Sequence, residues 1–101
     1  MTKDERLNMY EEATKKWGWI AQIDQAIEEM AELMIALNKY KRNVVYKEDT
    51  DKAQIDENLY TELADVSMCL EQLINVFGED KVEEKLNIQL AKFRKQIDKQ
   101  Q

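Results

Sequence analysis

The chain has no histidine, no proline, one cysteine and two glycines. Without histidine, any proton that must leave a water or a hydroxyl has to be taken by a carboxylate. Cys69 cannot close an internal disulfide, so a reducing, cytoplasmic setting is expected. With only Gly18 and Gly78 to punctuate it, the chain favours long helices over sheet. No apolar run approaches the length of a membrane span, and mean hydropathy is −0.70. No apolar stretch follows Met1-Thr2-Lys3-Asp4-Glu5-Arg6, so no secretory leader and no membrane association are expected. A net charge of −6 argues against stable nucleic-acid binding, which needs a basic face.

What is present is charge in an uneven arrangement. Charged residues make up 36% of the 101, enough chain for a single domain spanning residues 1–101. Between Gln54 and Gly78 stand Asp56, Glu57, Glu62, Asp65 and Glu71 with no lysine or arginine. These acids interleave with a dense apolar pattern, so some must lie beside a packed surface.

The periodicity predicts four helices. The first runs from about Lys3 to Trp17, opened by a Thr2-x-x-Glu5 capping box and stopped by Gly18. The second covers about Trp19 to Arg42. There Ile20, Ile23, Ile27, Met30, Met34 and Leu37 alternate three and four apart, the spacing of a helix–helix seam. A polar connector from Asn43 to about Asp51 follows. The third helix runs from about Lys52 to Phe77, capped by Asp51 with Gln54. Its stripe is Ile55, Leu59, Leu63 with Val66, Leu70, Leu73 and Phe77. Gly78 ends it, Asp80-x-x-Glu83 reads as the next capping box, and the last helix carries Val82, Leu86, Leu90, Phe93 and Ile97. The expected fold is all-α: a long antiparallel hairpin of helices two and three with two flanking helices. The two hairpin helices are long for so small a domain, and self-association into a homodimer or homotetramer is expected to cover them.

Two acidic pairs stand out, Glu29-x-x-Glu32 on the second helix and Glu62-x-x-Asp65 on the third. Spacing of i, i+3 puts both members on one face, about a turn apart. An antiparallel hairpin can bring the pairs opposite one another. Like charges about 5 Å apart repel by roughly 3 kcal/mol at an effective dielectric of about 20, so such a cluster calls for a cation. Oxygen-only donors suit Mg²⁺, with Mn²⁺ as a substitute, far better than zinc or copper. A solvated acidic face remains the alternative from spacing alone.

The words around the acids carry a resemblance. Glu28-Glu29-Met30-Ala31-Glu32-Leu33, followed by Glu62-Leu63-Ala64-Asp65-Val66, resembles the E-x-x-E and E-x-x-D signature of the MazG-like all-α nucleoside triphosphate pyrophosphohydrolases. Trp17-Gly18 with Gln22, Leu70-Glu71-Gln72-Leu73 and Phe77-Gly78 extend the likeness, which covers about Trp17 to Ile97. The resemblance implies cleavage of a (d)NTP between its α- and β-phosphates, to the monophosphate and pyrophosphate, in the service of nucleotide-pool house-cleaning. It implies Glu29, Glu32, Glu62 and Asp65 as the catalytic Mg²⁺ ligands. Lys39, Arg42, Asn87 and Lys92 are then expected on the phosphates and Trp19 on the base, with Trp17 a further stacking surface. Gln89 departs from the family's pattern in the last helix, where a lysine is expected. The alternative is a non-catalytic helical module that keeps the fold and binds a partner through its seams.

Overall fold

A computed structural model of the chain describes residues 1–47 and 51–99. Four helices follow one another: α1 (Lys3–Trp17), α2 (Trp19–Tyr46), α3 (Lys52–Phe77) and α4 (Glu79–Lys99), with no strand among the described residues. The all-α expectation holds.

Local chemistry sets most of the ends. The Thr2 side chain accepts from the Glu5 N–H at 3.1 Å while the Glu5 carboxylate accepts from the Thr2 N–H at 3.2 Å, closing the capping box. Gly18 and Gly78 take φ of 86° and 126°, a region that a side chain disfavours, and each N–H caps the preceding helix at 2.8 Å. The Asp51 side chain accepts from the Gln54 N–H at 3.1 Å and opens α3.

Two boundaries differ from expectation. Helix α2 continues past Arg42 through Asn43-Val44-Val45-Tyr46 and stops at Lys47, whose φ is 53°. β-Branched residues lower helix propensity by only tenths of a kcal/mol, roughly 0.5 each, and nothing in that stretch breaks the ladder. The expected connector is therefore shorter, and its Glu48, Asp49 and Thr50 lie outside the described residues. Helix α4 starts at Glu79, directly after Gly78, whose carbonyl accepts from the Val82 N–H at 3.2 Å. Asp80 thus sits inside the first turn, where its charge meets the helix dipole, and is not the cap.

Helices α2 and α3 form the hairpin, with the α1 backbone close to both and the α4 backbone close to α3. The face on which the hairpin packs is the larger surprise. Gln22 and Ala26 are buried on α2, with Glu29, Leu33 and Ala36 half-buried. The regular seam faces outward instead: Ile27 is 57% and Met34 62% exposed, with Ile20, Met30 and Leu37 also exposed. Small residues on the inner row, Ala26 and Ala36, allow α3 to approach closely, and Ile55, Val66 and Cys69 of α3 are buried against it.

A polar clamp fixes α1. The Arg6 guanidinium donates to both oxygens of Glu71 on α3, at 2.7 and 3.1 Å, and the Tyr10 hydroxyl donates to the same carboxylate at 2.8 Å. These donors hold the Glu71 carboxyl down at about 2. Lys3 pairs with Glu79, tying the start of α1 to the first turn of α4.

Candidate functional site

The inward row of α2 carries the acids with it. Glu29, one turn after Ala26, and Glu32 face Glu62 of α3. One carboxylate oxygen from each of the three lies within 4.8 Å of the others. Asp65, the fourth expected member, stands outside that 4.8 Å group, but its charge reaches both Glu29 and Glu32.

The crowding registers in the acidities. Loss of solvent pushes the Glu29 carboxyl above its ordinary value, and the charges of Glu32, Asp65 and Glu28 add to the rise. Glu32 is raised in the same way, by desolvation first and then by the charges of Glu62, Glu28 and Asp65. One oxygen of Glu29 accepts from the Gln25 amide at 2.9 Å. Its other oxygen, and one oxygen of Glu62, are buried with no hydrogen-bond partner. Buried carboxylate oxygens without donors are costly. A hard cation satisfies such atoms directly.

The cluster borders a hollow of about 270 Å³ whose lining includes Glu32 and Glu62, with Lys39 from α2 and Asn58 from α3. Lys39 is thus brought beside the acids. Arg42 is one turn farther along, in a separate hollow of about 520 Å³ with Asn38, Lys41 and Tyr46. Asn87 and Lys92 ride on α4, which makes no contact with α2, so within one chain they stay apart from the Glu29–Glu32 row. The two tryptophans also separate. Trp19 packs edge-on against Phe77, with ring centroids 6.4 Å apart. Trp17 instead lines a cleft of about 480 Å³ between α1 and the hairpin, with Met9, Gln22, Gln25, Met68 and Gln72. That volume lies in the range of small-molecule sites.

Several polar residues of these clefts went unread as site residues in the sequence. Asn58 precedes Glu62 by four residues and Gln25 precedes Glu29 by four, so helical register is the signal that places them. Gln22 is oriented by a relay: the Thr14 hydroxyl donates to the Tyr10 carbonyl at 2.8 Å and therefore accepts from the Gln22 amide nitrogen. The Gln22 amide oxygen is left buried and without a partner.

Cys69 is buried, and loss of solvent together with the charges of Glu29 and Asp65 raises its thiol pKa. Both effects disfavour the thiolate.

No protein-family model, curated protein or solved structure matches the chain. No helix among the described residues is long and apolar enough to cross a membrane.

Proposed function

We propose that this chain is a Mg²⁺-dependent nucleoside triphosphate pyrophosphohydrolase of the MazG-like type, cleaving (d)NTP to (d)NMP and pyrophosphate. The observation that carries the proposal is the meeting of Glu29, Glu32 and Glu62 within 4.8 Å across two antiparallel helices. The resemblance of the words around these acids supports it, and the orphaned oxygens of Glu29 and Glu62 fit a hard divalent ion.

Glu29, Glu32 and Glu62 would hold the ion, with Asp65 completing the negative field. When bound, Mg²⁺ supplies neutralisation of phosphate charge and makes nearby water more acidic. Lys39, which lines the same hollow, would meet a phosphate oxygen of the triphosphate. With no histidine in the chain, a carboxylate has to accept the proton of the attacking water, and Glu28, beside Glu29 in sequence, is a candidate. The cleft holding Trp17, Gln22 and Gln25 offers an aromatic face and amide groups suited to a nucleobase, and the Gln25 amide links it to Glu29. Arg42 on the phosphates and Trp19 on the base belong to the same proposal, as does work as a cytoplasmic homo-oligomer. Asn87 and Lys92 would then act from α4 of a neighbouring copy.

Pyrophosphate release from a panel of canonical and modified NTPs and dNTPs with Mg²⁺ tests the proposal, beside Glu62→Gln and an EDTA control. Release that vanishes in both controls supports it. No release above the variant, from folded and metal-saturated protein, turns the assignment to the helical interaction module that the exposed α2 seam favours.

A further inference from the structure

The cleft of about 480 Å³ between α1 and the hairpin holds Trp17, Met9, Met68 and three glutamines, Gln22, Gln25 and Gln72. No charged side chain lines it among the described residues. An aromatic, uncharged wall with several amides suits a flat neutral ring, and the direction of its hydrogen bonds decides which ring.

Two of the amides have a fixed orientation. The Thr14 hydroxyl has one proton and donates it to the Tyr10 carbonyl at 2.8 Å, so toward Gln22 it can only accept. That holds the Gln22 amide nitrogen on Thr14 and turns the amide oxygen away from it. Gln22 is only 6% exposed, and this oxygen is buried with no partner. Gln25 is fixed by Glu29. An ionised carboxylate has no proton to give, so the Gln25 nitrogen donates to it at 2.9 Å and the Gln25 oxygen stays uncommitted. The Tyr10 hydroxyl proton goes to Glu71. One N–H of each amide and the tyrosine proton are thus committed within the protein, whereas both amide oxygens are left to accept.

On the reading that this cleft takes the base of the nucleotide, we propose that Gln22 and Gln25 make it selective for bases with an exocyclic amine, adenine and cytosine, over their keto counterparts, hypoxanthine and uracil. The two glutamines are three residues apart on α2 and share a face, so the two N–H groups of one amine can serve both oxygens. A carbonyl in the amine's place sets oxygen against oxygen and leaves the Gln22 acceptor buried and unpaired. The Gln22 oxygen is closed to solvent, so the ring meets it as the wall adjusts. Met9 and Met68, unbranched and about half exposed, give the wall that adaptability.

Nucleosides test the selectivity apart from phosphate, metal and hydrolysis. In the full chain labelled at its methionine methyls, adenosine and cytidine should shift Met9 and Met68 saturably while Met30 and Met34, outside the cleft, stay in place. Inosine and uridine, which exchange the amine for a carbonyl, should bind at least about tenfold more weakly. Gln25→Met, at an exposed position, and Gln22→Met should each bring adenosine and inosine to within about threefold. Equal or tighter binding of inosine and uridine overturns the proposal, as do shifts at Met30 and Met34 in place of the cleft methyls, or no shift with any nucleoside. Full discrimination retained in folded Gln25→Met and Gln22→Met overturns it too. Selective nucleoside binding without pyrophosphate release would leave this cleft assignment standing and remove the hydrolase; release without the selectivity would do the reverse.

Discussion

Glu29 on α2 and Glu62 on α3 each turn one carboxylate oxygen into the hairpin where no hydrogen-bond donor meets it. Two helices that pack through alanines elsewhere bring like charges together here, with Glu32 within 4.8 Å of both. An arrangement that costs stability in the absence of a cation becomes a reason to bind one.

Divalent metal should therefore stabilise the fold. Mg²⁺ at about a hundred-fold excess over its Kd raises the Tm of a domain this size by roughly 10 °C or more. Glu62→Gln removes one charge from the cluster, so the variant should melt higher than the parent in EDTA and respond weakly to Mg²⁺. Differential scanning calorimetry with and without Mg²⁺ checks both; an unchanged parent Tm counts against the site.

Under the hydrolase reading, Glu62→Gln and Glu32→Gln lower pyrophosphate release by at least about 100-fold. Lys39→Ala lengthens the list differently: its effect falls mainly on KM, by about tenfold, because a phosphate contact made in ground and transition state alike is uniform binding. Steady-state kinetics on one good substrate separates the two patterns.

Trp17 and Trp19 are two residues apart and are expected to behave differently. Trp17→Ala should raise KM for the nucleotide, since the indole lines the cleft. Trp19→Ala should raise KM as well and, unlike Trp17→Ala, also cost about 1 kcal/mol of stability through the lost edge contact with Phe77. Urea unfolding beside kinetics decides the assignment.

Acid should act on the metal-free protein in two opposite ways. Glu71 is held at about 2, below an ordinary 4.5, so its stabilisation is complete above pH 4.5 and is lost as pH falls toward 2. Glu29 and Glu32 are raised, so the folded state binds their protons first and gains stability as pH falls from neutral through their raised values. Tm in EDTA is expected to climb on mild acidification and then drop below about pH 4.5. Glu71→Gln should flatten the drop and leave the climb.

The same carboxylate clamps α1. In Glu71→Gln or Arg6→Lys, hydrogen exchange should quicken along α1 while the α2–α3 amides keep their protection. Uniform acceleration through all four helices would show that the clamp is not local.

Sequence alone determined what short-range chemistry controls. The Thr2–Glu5 box, the Asp51 cap and the stops at Gly18 and Gly78 each involve residues within four of one another. Helix existence and the acid pairs at i, i+3 were legible for the same reason. The seam was legible as a seam, but not as one that faces away from its own hairpin. Periodicity shows that a face is apolar, whereas the choice between Ile27–Met34 and Ala26–Leu33 as the inner row depends on which lets α3 come closest. Only tertiary structure decided that choice. With it came the meeting of Glu29, Glu32 and Glu62, the position of Asp65 outside the trio, and the Arg6–Glu71 clamp, whose partners are 65 residues apart. Those relations depend on the distance and rotation between helices, which no local hydrogen bond sets.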